Sequence, residues 1–232
     1  MAASTPLAIE ARALGRRYGR SWALAHLDLE VAEGEALLVA GANGSGKTTL
    51  LRIVSGLLRP TAGEITVLGA DPRSERLACR SRLSLVSHRG YLYERLTALE
   101  SVRLWGRAAG KPADGARLAG VLAEVGLTER ASSLVSTFSA GMRKRLTLAR
   151  SRIEEPDLLL LDEPFAALDA EGQELVAQWV RETRDRGATV VVASHQLRQA
   201  SVLCDRAILL EDGQRVWRGA AAELPERVEA GA

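Results

Sequence analysis

The spacing of apolar residues predicts a first region of short strands around one helix. Apolar positions here alternate with polar ones or run consecutively between glycine turns. The predicted strands are residues 8–12, 22–31, 35–40, 64–68 and 83–87, and the predicted helices are 49–58 and 72–82. Tyr18 is expected in the turn between the first two strands.

Helical periodicity dominates the middle of the chain and then gives way to alternating strands and helices. An all-helical insertion is expected, with helices at residues 97–109, 114–125 and 139–153. The predicted order after it is strand 158–161, helix 170–185, strand 189–193, helix 196–203, strands 207–210 and 214–217, and a short helix or frayed tail at 220–232. Strands that alternate with helices form a mostly parallel sheet covered by helices, which predicts an α/β protein.

A glycine-rich segment joins the third predicted strand to the first predicted helix. Residues 41–48, the phosphate loop, fit the pattern G-x-x-x-x-G-K-[ST], in which backbone N–H groups converge on nucleotide phosphates at a helix N-terminus. Lys47 is expected to reach the β- and γ-phosphates, and the Thr48 hydroxyl to bind Mg²⁺. The predicted nucleotide-binding residues of this segment are Gly41, Ala42, Asn43, Gly44, Ser45, Gly46, Lys47, Thr48 and Thr49.

Two carboxylates follow four consecutive leucines, at the point where a buried strand is predicted to end. Ligands bind at the carboxyl ends of strands in open α/β sheets, so Asp162 is expected to hold Mg²⁺. Glu163 is expected to orient and polarise the water that attacks the γ-phosphate. A solvated acidic pair could also close a core strand. The phosphate loop favours the catalytic interpretation, because phosphoryl transfer needs both a metal and an oriented nucleophile.

Composition and charge limit the partners of the chain. The 31 Lys and Arg residues nearly balance the 29 Asp and Glu, and a net charge of +2 gives no electrostatic reason to expect nucleic acid. No apolar run approaches the roughly 20 residues needed to cross a bilayer, and residues 1–6 lack the features of a signal peptide. Cys79 and Cys204 have no metal-ligand spacing. We therefore expect a cytoplasmic protein that reaches a membrane only through a partner.

Three further motifs accompany the phosphate loop and the acidic pair. They are Phe-Ser-Ala-Gly-Met at residues 138–142, Ala-Leu-Asp at 167–169 and Ser-His at 194–195. The whole set resembles the nucleotide-binding domain of ATP-binding-cassette (ABC) proteins, over nearly the full chain. The resemblance implies a P-loop NTPase fold with an antiparallel β-subdomain and an inserted all-helical subdomain. The implied layout is one domain over residues 5–220, with the RecA-like core and β-subdomain at 5–86 and 154–220, the helical subdomain at about 87–153 and a tail at 221–232.

The resemblance implies that two copies of the chain share their nucleotides. Ser139 begins a predicted helix with Gly141 close behind, so its hydroxyl and the neighbouring N–H groups form an anion site. In ABC proteins that site faces the γ-phosphate held by a second subunit, and two ATP molecules lie between the subunits. Asp169 would lie near the dimer seam. The expected cofactors are ATP and Mg²⁺, and one expected partner is a second copy of the chain.

Two further residues match nucleotide contacts of the family. His195 would contact the γ-phosphate and the attacking water, with Glu163 as the base. Tyr18 matches the aromatic residue that stacks on adenine.

Simpler structural roles are open for several of these residues. Ser139 also fits a helix N-cap, His195 a surface histidine and Tyr18 an ordinary turn tyrosine. The preferred interpretation of three basic residues is the solvated face of the signature helix; these are Arg143, Lys144 and Arg145.

Departures from the general family pattern indicate a particular subfamily of ABC proteins. His88 stands where most family members have glutamine, and an imidazole can bond to a metal-bound water but can also be protonated near neutral pH. His88 is therefore a candidate residue of the Mg²⁺ site. The signature has Phe138, Ala140 and Met142 in place of leucine, glycine and glutamine. With these features the chain looks like the ATP-binding subunit of the cytochrome c biogenesis haem exporter.

That subunit works on the inner face of the bacterial membrane with separate membrane-spanning subunits, which implies such partners here, contacted at roughly residues 87–107. The alternative is the ATPase of another small exporter, for lipids, polysaccharides or drugs. A soluble ABC protein that acts on ribosomes or DNA is disfavoured, because the chain has one cassette and no basic excess. An inactive binding module is disfavoured because Lys47, Asp162, Glu163 and His195 are all present.

Overall fold

The computed structural model describes residues 6–87 and 92–230, and the structural statements below concern these residues. His88, the predicted neighbour of Mg²⁺, lies outside the described residues. In chain order the elements are β1 (Leu7–Tyr18), β2 (Ser21–Ala32), β3 (Ala36–Ala40), α1 (Lys47–Val54), β4 (Ala62–Val67), α2 (Arg76–Arg80), β5 (Leu83–Val86), α3 (Ala98–Ala108), α4 (Gly115–Glu124), α5 (Ala140–Glu154), β6 (Leu158–Asp162), α6 (Ala170–Asp185), β7 (Thr189–Ser194), α7 (Leu197–Ser201), β8 (Arg206–Glu211), β9 (Gln214–Ala220) and α8 (Leu224–Ala230).

Six strands form the main sheet, in the spatial order β5-β6-β7-β3-β8-β9. The neighbouring strands from β5 to β8 run parallel, and β9 pairs antiparallel with β8. Every residue of β3, β6 and β7 is buried, as expected for central strands covered on both faces. Because these three strands are adjacent and parallel, the segments that follow them meet at one edge of the sheet.

A second, antiparallel sheet has the order β2-β1-β4. Its strand β1 continues to Tyr18, which pairs with Ser21, so the prediction that Tyr18 lies in the turn was wrong by one residue. Register shifts interrupt the pairing of β1 with β2, and Ala13 within them has a φ of +46°. Such bulges break the apolar alternation, which is why the sequence pattern predicted only a short first strand.

Two hydrophobic cores cover the two faces of the main sheet. Side chains alternate along β3, so that Leu37 and Val39 pack against α1 and the small sheet. Leu38 and Ala40 pack on the other face, with the core that contains buried residues of α3, α4, α5 and α6. Helix α1 therefore lies between the two sheets.

One predicted helix is shorter in the structure, and the end of the chain takes one of its two predicted forms. The predicted helix 72–82 is reduced to α2, because the Asp71 carboxylate accepts a hydrogen bond from the Arg73 N–H (2.8 Å) and forms a turn there. Between the alternatives of a short helix and a frayed tail, the described end of the chain is a helix: Ala221 and Leu224 are fully buried, and α8 packs against α7.

Candidate nucleotide-binding and hydrolytic site

The phosphate loop joins β3 to α1 and approaches other backbone closely at two of its glycines. Gly41 and Gly46 have φ values of +146° and +107°. A Cβ atom on Gly41 would overlap the carbonyl oxygen of Leu210, and one on Gly46 would overlap that of Ala23. Glycine is therefore required at both positions, and the loop is held against β2 and β8.

The N-terminus of α1 is open to an anion. The helix follows Gly46, and among the described residues no side chain caps its first N–H groups. Uncapped amides and the positive end of the helix dipole together bind phosphate. The Ser45 hydroxyl in the same loop is buried and has no hydrogen-bond partner within the described part of the chain. These features fit the phosphate groups of a nucleotide.

Lys47 lies folded across the loop. Its side chain is 5% exposed, and Nζ donates hydrogen bonds to the carbonyl oxygens of Gly41 (2.7 Å) and Ala42 (3.0 Å). The same Nζ lies 3.5 Å from Oε1 of Glu163. The ammonium is thus placed between the loop backbone and the second of the two carboxylates.

Thr48 and Asp162 form the predicted metal-binding pair. The Thr48 hydroxyl lies 3.0 Å and 2.9 Å from the two carboxylate oxygens of Asp162. Burial raises the pKa of Asp162, as does the neighbouring Glu163, while the hydrogen bond from Thr48 opposes the shift. Hydroxyl and carboxylate oxygens suit Mg²⁺.

These two residues make an incomplete metal site by themselves. In residues 6–87 and 92–230 no group of three or more His, Cys, Asp and Glu side chains could hold a metal ion. Magnesium keeps an octahedral shell and binds through one or two protein ligands, phosphate oxygens and water. The donor set of Thr48 and Asp162 therefore fits a metal that arrives with a nucleotide.

Glu163 turns its carboxylate toward both the phosphate loop and β7. Its φ of +49° is a left-handed backbone conformation that costs a residue with a Cβ roughly 1–2 kcal/mol. Oε2 lies 2.9 Å from Nδ1 of His195 and accepts a hydrogen bond from the Ser194 hydroxyl (3.3 Å). The residues that follow β6 and β7 thus meet beside Lys47, as the strand order requires.

His195 stands at the open side of this cluster. Its side chain is 48% exposed, and it borders a cavity of about 760 Å³ that also touches Gly41 and Ala42. The cavity lining also includes the apolar side chains of Trp217 and Val228 and the charged residues Glu211 and Arg227. The ring is therefore fixed by Glu163 on one side and accessible on the other.

The predicted adenine-stacking residue lies at the end of the β1–β2 hairpin. Tyr18 is 48% exposed, and the Arg16 guanidinium lies 4.7 Å from the centre of its ring. Trp22, across the hairpin, is 38% exposed and lies one residue before Ala23, which contacts the phosphate loop. Sequence reasoning did not single out Trp22 as a site residue, although the sequence shows a second aromatic residue four positions after Tyr18.

Ser139 and Asp169 cap helices in their own chain. The Ser139 hydroxyl accepts a hydrogen bond from the Met142 N–H (3.2 Å) at the start of α5, and Asp169 accepts one from the Gly172 N–H (2.9 Å) at the start of α6. Both residues are exposed. Within the described residues no hydrogen bond or ion pair joins Ser139, Gly141 or Asp169 to the phosphate loop of the same chain.

The basic run that follows the signature motif does not form one solvated face, so that interpretation was wrong. Consecutive helical residues are about 100° apart, and three of them span about 200° of the helix surface. Lys144 is buried and donates a hydrogen bond to the carbonyl oxygen of Glu163 (3.0 Å). Arg143 binds Glu94 (2.9 Å), and Arg145 lies 3.4 Å from Asp169.

The geometry agrees with comparisons to known proteins. A family described as "ABC transporter" matches residues 24–166. The linearmycin resistance ATP-binding protein of Bacillus subtilis (strain 168) is 31% identical over 222 residues, which cover 95% of this chain and 71% of the relative. The daunorubicin resistance ATP-binding protein of Streptomyces coeruleorubidus is 40% identical over 211 residues (90% and 67%). The Nod factor export ATP-binding protein I of Rhizobium johnstonii is 34% identical over 225 residues (96% and 72%).

Two solved structures match nearly the full chain. An "ATP binding subunit of ABC transporter" has a TM-score of 0.86 and 28% identity, covering 95% of this chain and 93% of its own. The cassette MJ0796, a dimer in a post-hydrolysis state bound to ADP and phosphate, has a TM-score of 0.84 and 28% identity (92% and 98%). This likeness confirms the predicted fold.

The comparisons do not support the narrower resemblance to the haem exporter. The relatives named above are described by drug resistance or Nod factor export. They favour the alternative of another small exporter. Among residues 6–87 and 92–230, no helix has the length and apolar character to span a membrane.

Proposed function

Because the chain belongs to the ABC transporter family, we propose that it is the ATP-binding and ATP-hydrolysing subunit of a small-molecule exporter. The observation that carries the proposal is the cluster of Lys47, Thr48, Asp162, Glu163 and His195 at one edge of the main sheet. Three adjacent strands deliver these side chains around the open N-terminus of α1.

The contacts of these residues support the following roles in our proposal. The uncapped amides of α1 and the Lys47 ammonium would bind the β- and γ-phosphates. Thr48 and Asp162 would hold Mg²⁺, which would neutralise phosphate charge. The Glu163 carboxylate orients and polarises the attacking water. His195 fixes that carboxylate through Nδ1 and presents the rest of its ring to the γ-phosphate side.

We place a second copy of the chain across this site. Ser139 and Gly141 stand at the start of the 15-residue helix α5 without a hydrogen bond to their own phosphate loop among the described residues. An exposed helix N-terminus favours an anion. A head-to-tail dimer brings it to the γ-phosphate of the other copy, and the dimeric state of MJ0796 supports this arrangement.

The membrane-spanning partners contact the region around α3 in our proposal, on the cytoplasmic face of the membrane. The expected contact region, residues 87–107, is described only from residue 92 onward. Within it Tyr93 is 57% exposed and Leu104 is 41% exposed. Exposed apolar side chains of this size fit a protein interface.

The exported molecule has two candidates. The relatives named for linearmycin resistance, daunorubicin resistance and Nod factor export favour a drug or another small secreted molecule. A second candidate is haem supplied to cytochrome c assembly. It rests on the signature residues Phe138, Ala140 and Met142 and on His88.

One genetic experiment separates these candidates. Source cells that lack the gene are complemented with wild type, with Glu163→Gln or with Glu154→Gln, whose side chain is buried to the same degree (15% against 16% exposed). Sensitivity to linearmycin and daunorubicin, restored to resistance by wild type and Glu154→Gln only, supports drug export. Loss of the haem-stained bands of c-type cytochromes, restored by the same two proteins, supports haem export. No difference between the Glu163→Gln and wild-type strains in either assay would contradict an ATP-driven exporter of either kind.

A further inference from the structure

Lys144 is a buried cation that the proposed mechanism does not use. It lies in the second turn of α5, the helix that begins at the signature motif, and its relative exposure is 7%. Its Nζ donates a hydrogen bond to the backbone carbonyl oxygen of Glu163 at 3.0 Å. Since buried charges are kept only with partners, this contact gives Lys144 a specific place beside β6.

The contact falls on a peptide whose conformation matters for hydrolysis. Glu163 has the left-handed φ of +49°, which directs its side chain toward Lys47 and His195. The Glu163 N–H donates a hydrogen bond to the carbonyl oxygen of Ala193 (2.8 Å). Its carbonyl oxygen accepts one from Lys144 (3.0 Å) and a longer one from the Ala166 N–H (3.3 Å). Hydrogen bonds from two different elements, β7 and α5, therefore hold this residue from both sides.

The ammonium form of Lys144 makes the contact at neutral pH. Burial lowers the pKa of Lys144 to about 8, while the charges of Asp162 and Glu163 oppose the shift. A pKa of about 8 leaves the group mostly protonated at pH 7.

We propose that Lys144 is a positioning residue for ATP hydrolysis, which fixes the Glu163 peptide and ties it to the signature helix. This inference rests on the proposed role of Glu163 as the residue that orients water. In the proposed dimer, the N-terminus of α5 lies at the ATP bound by the second copy, while Glu163 lies at the ATP bound by its own chain. Lys144 joins α5 to Glu163 and therefore connects the two nucleotide sites. Arg145, one residue on, makes a parallel link to Asp169.

The test replaces Lys144 by methionine, which has a similar length and volume but no hydrogen-bond donor. Within the described residues Lys144 makes no hydrogen bond to the phosphate loop, so we expect ATP affinity within about twofold of wild type. We expect kcat to fall about 100-fold, the cost of misplacing a reacting group by about 1 Å. Lys111→Met is the control for loss of a lysine charge, because Lys111 is partly exposed and pairs with Glu155, and it should leave both quantities unchanged.

A second variant protects the test against misfolding. Lys144→Arg keeps a cationic donor, and we expect its kcat to be at least tenfold higher than the kcat of Lys144→Met. Thermal unfolding of each purified protein identifies a folding defect. Wild-type kcat in a folded Lys144→Met protein would overturn the proposal, and so would equal losses of ATP affinity and turnover.

A double-mutant cycle with Glu163→Gln separates this inference from the proposed function. If Lys144 acts through Glu163, Lys144→Met should cause no further loss in single-turnover hydrolysis by the Glu163→Gln protein. A further loss of about 100-fold there would overturn the positioning role. Full hydrolysis by Glu163→Gln alone would instead refute the role of Glu163 and leave the proposed mechanism without its base.

Discussion

Replacement of Glu163 by glutamine separates nucleotide binding from hydrolysis. Glutamine has the same shape and keeps an oxygen and an N–H₂ group near His195, but it cannot polarise water as a carboxylate does. Loss of a general base costs about 10²–10⁴ in rate, and we expect turnover to fall about 10³-fold, equivalent to about 4 kcal/mol.

The structure limits the effect of the same change on stability and binding. The Glu163 side chain is 16% exposed, and its Oε1 lies 3.5 Å from Lys47 without a hydrogen bond. Loss of the Glu163 charge removes both its attraction to the buried Lys47 and its repulsion toward Asp162, so the two effects on the free energy of unfolding oppose each other. Lys47 is also released from the carboxylate, so ATP affinity should stay equal or rise. A dimer that persists in ATP is expected, because hydrolysis no longer opens it.

The assay compares steady-state turnover, ATP binding by titration and size-exclusion chromatography in Mg²⁺-ATP. Glu154→Gln is the control, since its carboxylate pairs with Arg150 and Ser84 away from the site. Wild-type turnover by Glu163→Gln would refute the assignment of the water-orienting residue. Loss of ATP binding in that variant would refute the proposal that the phosphate loop binds ATP while Glu163 acts only in hydrolysis.

Three further outcomes can be measured on the purified chain. Lys47→Ala should weaken ATP binding about 10- to 100-fold, the effect of losing a charge-assisted hydrogen bond, and unchanged binding by titration would contradict the phosphate-loop assignment. Tyr18→Ala should weaken ATP binding about tenfold while Tyr18→Phe keeps it, because stacking needs the ring and not the hydroxyl; equal affinities of all three proteins would exclude Tyr18 from the adenine site. Desolvation raises the pKa of the half-buried Cys204 to about 12, so alkylation of this thiol at pH 8 should be slow in the folded protein and fast in denaturant; fast alkylation of the native protein, located by mass spectrometry, would contradict the raised pKa.

Much of the fold could be predicted from the sequence, because the central elements have simple patterns. The leucine run before Asp162 and the valines before Ser194 are buried on both faces of the sheet, and such strands need consecutive apolar residues. Helix α6 was predicted with its observed bounds, since Asp169 is a favourable N-cap and Gly187 follows its end.

The parts that were missed depend on contacts between distant segments. Lysine usually lies on the protein surface, so the sequence predicts an exposed side chain for Lys144. Only the folded structure brings it to the carbonyl oxygen of Glu163, 19 residues away. The left-handed conformation of Glu163 is likewise invisible in a sequence, because it is held by partners on other elements. The motifs identified the candidate reacting groups, but they could not show which contacts orient those groups.

The position of α1 between the two sheets keeps the proposed nucleotide site ordered before a ligand binds. Its residues Leu50, Leu51, Ile53 and Val54 are buried in the core shared by the small sheet and the main sheet. The helix cannot loosen without opening that core, so its hydrogen-bonded amide hydrogens, from Leu50 onward, should exchange with solvent only through global unfolding. The N–H groups proposed to bind phosphate are then already ordered in the free protein. ATP binding therefore does not have to offset the entropy cost of ordering them.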